Sequence, residues 1–285
     1  MVLSKFRSKS PAETDRRRQA AAHLLRIYRT THGKEPSSGS PSRFSEKLLH
    51  RLLTLSADEN PLFSRLSDKL AVRDFVRDRL GDRYLTRLLW SGTETAEIPF
   101  DTLPSQYVIK ANHGSGMVVR VEAEPEIPAI IAKTTEWLKT DYGLVDHEHH
   151  YSAISPSIVI EEFVADGYPL GPLNYSFWSF CGEPAVIQVD NRNQSINPFY
   201  DISWNKLPLT TRRDKPDIDI AKPPNLDEML MAARKLAMGI DFVRVDLYST
   251  GNRVYFGEMT FTPGSGRFRF LPEEWDETLG ALWKS

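Results

Sequence analysis

Two carboxylates stand close to the end of the chain, Asp246 in RVDLY and Glu258 in YFGEMT, with a short turn at 249–252 between them. The flanking runs Phe242–Tyr248 and Arg253–Met259 are apolar and β-branched, so the spacing predicts two antiparallel strands. Pairing across such a turn brings positions near Asp246 opposite positions near Glu258. Two acids amid apolar neighbours repel one another unless something positive lies between them. A hard cation such as Mg²⁺, with phosphate oxygens as its remaining ligands, meets that need. Surface exposure, or pairing with Arg244 and Arg253, is the alternative, and these residues alone leave it open.

A second group carries phosphate chemistry. Tyr107–Lys110 reads as a strand, Asn112 to Gly116 (NHGSG) as a glycine-rich turn, and Met117–Val121 as the returning strand. With few side chains in the way, backbone N–H groups of Asn112, His113, Gly114, Ser115 and Gly116 can cradle phosphate oxygens while Lys110 neutralises them. A tight hairpin turn is the plainer reading, and His113 either donates to a phosphate or caps the turn. Strand, loop, strand is not the strand-to-helix turn of a dinucleotide fingerprint or a P-loop. The apolar run Ser157–Ile160 ends abruptly in Glu161–Glu162. A solvated strand end is the bland reading. At a junction of lobes, backbone groups there read an adenine edge and a carboxylate holds ribose hydroxyls.

These groups need a scaffold. Helical periodicity covers Ala12–Thr31, with Leu24, Leu25 and Tyr28 as an apolar stripe, then Ser45–Leu55, Leu66–Leu80 and Ile127–Tyr142, where Trp137 and Leu138 face inward. Asn225–Met238 is amphipathic, with Asn225 as N-cap and Gly239 just past its end. Asn174–Phe180 and Pro184–Asp190 form a hairpin about Gly182. The segment HGKEPSSGSPS marks a flexible break. Hairpins interleaved with helices predict an α+β architecture. At 285 residues, two lobes about a cleft are expected. The divisions are an N-terminal helical extension (1–60), a lobe with the lysines and glycine-rich loop (61–165), and a lobe with the paired carboxylates (166–285).

The remaining features mostly exclude functions. A net charge of −2 gives no reason to expect nucleic acid or an anionic membrane as the main partner. The basic run Arg16 to Arg18 reads as a solvated helix face. No apolar stretch nears the roughly 18 residues that span a bilayer, and the N-terminus lacks the apolar core of a signal peptide, so a cytoplasmic location is expected. Cys181 follows the apolar run Phe177–Phe180 and reads as a buried structural thiol. The run from Asp146 to His150 invites zinc, but neighbouring histidines cannot converge on one ion without distant partners. Trp137, Trp178 and Trp204 read as core.

In order along the chain, a lysine, a glycine-rich hairpin loop, a strand ending in glutamate and an Asp…Glu strand pair resemble the ATP-grasp layout. More closely, the chain resembles the TupA-like ATP-grasp family, named for teichuronopeptide biosynthesis. The matching stretches are RFSEKLL, LSDKLAVRDFV, LPSQYVIKANHGSG, HYSAISPSIVIEEFV, FWSFCGEPAVIQVD, FYDISWN and VRVDLYSTGNRVYFGEMTFTPGSG, from about Phe44 to Gly280. The resemblance implies an ATP-grasp fold, two α+β lobes clamping ATP, with ATP and Mg²⁺ as cofactors. Lys69 and Lys110 look like the two phosphate-holding lysines, and Asn112 to Gly116 like the mobile loop over the β- and γ-phosphates. Glu161 and Glu162 look like the adenine and ribose hinge, and Arg244 like the arginine facing the γ-phosphate and acyl-phosphate. Asp246 and Glu258 look like the Mg²⁺ ligands. Thr260 stands where ATP-grasp enzymes often carry a third, asparagine ligand. The family usually reads closer to DYKF at NYSFWSF, so Asn174 and Ser176 replace an Asp and a Lys, and Arg192 is a candidate compensating charge among the nucleotide contacts.

The activity implied is ADP-forming C–N ligation: an acyl-phosphate is made from a carboxylate and attacked by an amine. That chemistry needs charge neutralisation and positioning, and no nucleophilic side chain. The family points to a small-molecule or glycan carboxylate and an amine acceptor, an amino acid or peptide joined to a cell-surface polysaccharide or its precursor, and to polysaccharide-biosynthesis enzymes as partners. PGSGRFRF, with Arg267 and Arg269, is either an acceptor subsite or a surface turn. A sugar kinase and a nucleotide-binding scaffold without turnover are the rival readings.

Overall fold

Alternation of apolar and polar residues on three central strands decides where the site lies. The computed structural model describes residues 11–54, 60–145, 147–165, 167, 173–191, 195–212 and 214–284, with backbone alone at 11–17. The N-terminal half contributes α1 (Pro11–His32), α2 (Phe44–Thr54), α3 (Pro61–Ser67), α4 (Val72–Leu80), β1 (Leu88–Gly92), β2 (Tyr107–Ala111), β3 (Val118–Val121), α5 (Ile127–Leu138), α6 (Tyr142–Val145) and β4 (Ile158–Glu162). The C-terminal half contributes β5 (Leu173–Phe180), β6 (Glu183–Asn191), β7 (Phe199–Asp201), β8 (Lys206–Leu207), α7 (Leu226–Ala237), β9 (Phe242–Ser249), β10 (Val254–Thr260) and α8 (Glu274–Leu282). A small sheet runs β1-β4-β2-β3 and a large one β10-β9-β5-β6-β7-β8, every pairing antiparallel. This is the expected α+β class. No helix among the described residues is long and apolar enough to cross a membrane.

On the large sheet, Val243, Val245 and Leu247 of β9, Tyr175 and Phe177 of β5, and Ile187 and Val189 of β6 pack on one face with α7, α4 and α3. Their alternate neighbours point to the other face, as the two-residue period requires. At one end of that face Trp178, Phe180 and Phe242 are covered by Phe44, Leu48 and Leu52 of α2 and by Leu279 and Trp283 in and after α8. Buried Arg51 locks α2 down: it donates to the carbonyls of Phe242 (2.9 Å) and Phe261 (3.0 Å) and to both oxygens of Asp241 (2.7 Å each). At the other end the same face carries Asn174, Asp190, Arg244 and Asp246, which line a cleft.

Two bulges set this wall. Counting outward from the β9–β10 turn, Val254 pairs with Ser249 and Phe256 with Leu247, which would place Gly257 opposite Asp246. Gly257 is instead the extra residue, and Glu258 faces Asp246. Phe256 and Met259 can therefore both enter the core while Glu258 and Thr260 face the cleft. A Cβ on Gly257 would lie 2.9 Å from the Tyr248 ring and 3.0 Å from the Asp246 carbonyl oxygen. Gly257→Ala should thus shift Glu258 out of register. The expected outcome is a stability loss of about 1–3 kcal/mol with a much larger loss of turnover, read by thermal unfolding and ADP release on the same sample. A second bulge between Trp178 and Ser179 on the β5–β6 pair brings Asp190 opposite Asn174.

Several sequence expectations change. The helix expected over Leu66–Leu80 is two helices, because Asp68 Oδ1 accepts the N–H groups of Leu70 (2.8 Å) and Ala71 (3.2 Å) and turns the chain. Lys69 sits at that corner. Likewise Ile127–Tyr142 breaks after Leu138, and β4 runs through Glu161 and Glu162 rather than stopping before them. Cys181 is exposed, not buried: it occupies the β5–β6 turn with φ of 50°, one residue past the apolar run. Asn225 is the N-cap residue of α7 as expected, although its Oδ1 accepts the Ser249 hydroxyl (2.8 Å) and makes no capping bond. The segment expected to be a flexible break is tied to α2 by Glu46, which accepts the N–H groups of Ser37, Ser42 and Arg43 at 3.0, 3.1 and 3.3 Å.

Candidate active site

The cleft, about 570 Å³, is walled by residues of both sheets. The small sheet contributes Lys110, Val118, Glu161 and Glu162; the large sheet contributes Asn174, Asp190, Arg244, Asp246, Tyr248 and Glu258. Gly114–Met117, Lys69, Pro263, Gly264 and Arg267 also line it. The two carboxylates and two lysines singled out from sequence thus meet in one place.

Arg244 holds the centre. Its Nε and Nη2 donate to Asp246 Oδ1 and Oδ2 (2.7 and 2.6 Å), and Nη2 also reaches Glu258 Oε1 and Thr260 Oγ1 (both 3.2 Å). Arg253 has no part in this. It donates to the carbonyls of Arg83 (2.8 Å) and Leu85 (3.3 Å) and stacks on Tyr255. The positive charge that two facing acids require is supplied by Arg244. Burial pushes the Asp246 carboxyl up, against the pull of Arg244. Burial also acts upward on Glu258, but Lys69 and Arg244 outweigh it and hold that carboxyl below the usual range. The oxygen donors Asp246, Glu258 and Thr260 fit a hard divalent cation. Such an ion would need Arg244 to release at least one Asp246 oxygen.

Glu161 fixes Lys110. Its Oε2 accepts Lys110 Nζ (2.8 Å) and its Oε1 accepts Arg73 Nη1 (2.7 Å), while Arg73 Nη2 also donates to Thr86 O (2.7 Å). Burial opposes the charged form, but Lys110 and Arg73 prevail and the Glu161 carboxyl lies below its ordinary range. Both oxygens are occupied, so its direct job in this state is to aim the lysine. Glu162 accepts the backbone N–H of Arg87 (2.8 Å). Lys69 donates to Gly114 O (2.5 Å), which ties the glycine-rich loop to the α3–α4 corner.

Within the loop, Gly114 to Gly116 line the cleft, and Ser115 and Gly116 are exposed at its tip. Asn112 and His113 do not line it. Asn112 donates to Asp68 Oδ1 and Ser155 O (both 3.0 Å) and accepts Ser157 N (2.7 Å), and His113 spans Asn112 Oδ1 (3.1 Å) and Trp137 O (3.0 Å). Their side chains anchor the loop, so of the two readings of His113 the turn-holding one matches its partners here. Of the two arginines in PGSGRFRF, Arg267 lines the cleft, whereas Arg269 lies beside Glu273 (3.7 Å). Arg192 and Asp146 lie outside the described residues. His150 is fully buried, with neither ring nitrogen hydrogen-bonded; burial, then Arg51 and His149, push it to about 3.

Two residues of the site went unread in the sequence, Arg73 behind Glu161 and Asp190 in the cleft wall. Arg73 was hidden in a helix rich in arginine. Asp190 stands at the end of β6, where Asn174 Nδ2 donates both to its Oδ2 and to Asp246 Oδ2 (3.2 Å each). Burial, then the charge of Asp246, push the Asp190 carboxyl up to about 7. Asn174 also donates to Ser176 Oγ (3.0 Å), so the two departures from the family pattern are hydrogen-bonded to one another.

The family model described as TupA-like ATPgrasp matches residues 46–284. The chain belongs to the TupA-like ATP-grasp family. Its two-sheet α+β architecture is accordingly the ATP-grasp fold. The D-alanine–D-alanine ligase from Bacillus anthracis is similar over 78% of this chain and 66% of that one, at 16% identity and a TM-score of 0.46. The corresponding ligase from Helicobacter pylori is similar over 77% and 61%, at 16% identity and 0.47. A RimK domain ATP-grasp protein from Sphaerobacter thermophilus covers 92% and 76%, at 12% identity and 0.44. The chain spans 66% or less of the two D-alanine–D-alanine ligases. At these scores the TupA-like match, not the structural likeness, carries the assignment. No curated protein sequence matches the chain.

Proposed function

We propose that this TupA-like ATP-grasp chain is an ADP-forming carboxylate–amine ligase that works through an acyl-phosphate. The observation that carries the reading is one cleft holding Lys69, Lys110, Arg244 and a facing Asp246–Glu258 pair. This is a set built to neutralise a polyphosphate and a transferring phosphoryl group. Asp246 and Glu258 would hold Mg²⁺, which when bound would offset phosphate charge. Lys110, aimed by Glu161, and Lys69 bind the phosphates of ATP. Arg244, bidentate to Asp246 in this state, would face the γ-phosphoryl group and the acyl-phosphate. Gly114–Gly116 fold over the phosphates and exclude water, and the chain at Glu161 and Glu162 receives adenine and ribose. The Pro263–Arg267 segment takes the second substrate.

The substrates follow from the family name: an amino acid or peptide joined to a cell-surface polysaccharide or its precursor. The test is ADP release with MgATP, hydroxylamine and a panel of amino acids and uronic-acid glycans. Carboxylate-dependent ADP with a trapped hydroxamate supports the ligase. A stable phosphorylated hydroxyl product without hydroxamate would make it a kinase, and ATP binding without turnover on any substrate a scaffold.

A further inference from the structure

Two of the cleft's cations have an acid to answer. Lys110 is held by Glu161, and Arg244 by Asp246 and Glu258. Asp190 is the exception among the acids. It lines the cleft, its Oδ2 accepts Asn174, and among the described residues it has no ion-pair partner and no donor to Oδ1. A partly buried carboxylate without a cation is unfavourable by itself and becomes favourable when a ligand brings the charge.

The position of that carboxylate says which charge. One Asn174 amide nitrogen joins Asp190 to Asp246, so Asp190 lies two hydrogen bonds from the carboxylate pair where a phosphoryl group would be handled. Arg267 also lines the cleft. An acid without an ion pair, joined through Asn174 to the pair where a phosphoryl group would be handled, matches a ligand's ammonium group. We infer that Asp190 is the specificity-determining residue for the amine substrate, binding the ammonium group of an amino acid or peptide. This rests on the ligase reading above. It assigns the amine a place that neither the family name nor the sequence pattern specifies.

The experiment compares wild type, Asp190→Asn and Asp190→Glu at fixed MgATP and carboxylate, with either hydroxylamine, largely uncharged at neutral pH, or an amino acid as nucleophile. Thermal unfolding of each variant accompanies the kinetics. Loss of a charge-assisted contact should raise the amino acid concentration for half-maximal rate about tenfold or more in Asp190→Asn. The ratio of amide to hydroxamate product should fall by a similar factor, and Asp190→Glu should recover part of it. Equal loss with both nucleophiles would assign Asp190 to the nucleotide or metal and overturn the inference, as would an unchanged requirement for the amino acid. If wild type forms no hydroxamate from any carboxylate, the ligase reading itself fails and the inference falls with it.

Discussion

Arg244→Met should abolish ligation and, in the absence of metal, make the protein markedly less stable. Arg244 spans both acids of the central pair, bidentate to Asp246 and 3.2 Å from Glu258. Removing it leaves two facing carboxylates in a largely buried site with no charge between them. Breaking a buried pair in this way costs about 3–5 kcal/mol. In a chain of this size that corresponds to a fall of roughly 10 °C in the unfolding midpoint. Turnover should drop by about 10²–10³ or more, the usual penalty for losing a group that answers transition-state charge. Mg²⁺ supplies the sign that has been lost, so it should raise the variant's midpoint further than it raises that of wild type. Thermal unfolding with and without Mg²⁺, beside ADP release, checks all three. A variant as stable as wild type and equally indifferent to Mg²⁺ would remove the cation site from the account.

Lys110→Met is the second large effect. The lysine is paired with Glu161, which is itself braced by Arg73. Loss of the ammonium group removes a phosphate contact and leaves Glu161 with one cation instead of two. We expect ATP affinity and turnover to fall together, turnover by about 10²–10³. Glu161→Gln should have a smaller effect in the same direction, about tenfold, because Lys110 keeps its charge but loses the group that aims it. ATP titration and ADP release on both variants read this out. Equal and severe loss in the two would mean that Glu161 meets the nucleotide directly.

Much of the site was legible because strand hairpins are local. The run of β9 and β10 about a short turn placed Asp246 near Glu258 from sequence alone, and the β2–β3 hairpin placed Lys110 beside its glycine loop. What sequence could not supply was register. Counting from the β9–β10 turn puts Gly257 opposite Asp246, and the bulge that corrects this depends on Phe256 and Met259 both finding core positions. Asp190 was missed for the same reason, since a bulge near Trp178 shifts it opposite Asn174. Side chains bound far along the chain were equally hidden. His113 reads as a phosphate donor beside glycines, but Trp137 O, 24 residues away, takes its ring. Cys181 reads as buried because of Phe177–Phe180 before it, while the turn it occupies faces out. The corner at Asp68 was legible in principle, from an aspartate placed to accept the next N–H groups, and it sets the position of Lys69.

The most direct test of the central claim follows an oxygen atom. With the carboxylate substrate labelled in both carboxyl oxygens with ¹⁸O, an acyl-phosphate must pass one labelled oxygen to the inorganic phosphate released when the amine attacks. Mass analysis of that phosphate should show one ¹⁸O per ADP formed in wild type, with neither product accumulating in the Asp246→Asn, Glu258→Gln double variant. Phosphate free of label, with amide formed, would mean that the cleft joins its substrates without an acyl-phosphate and would contradict the mechanism.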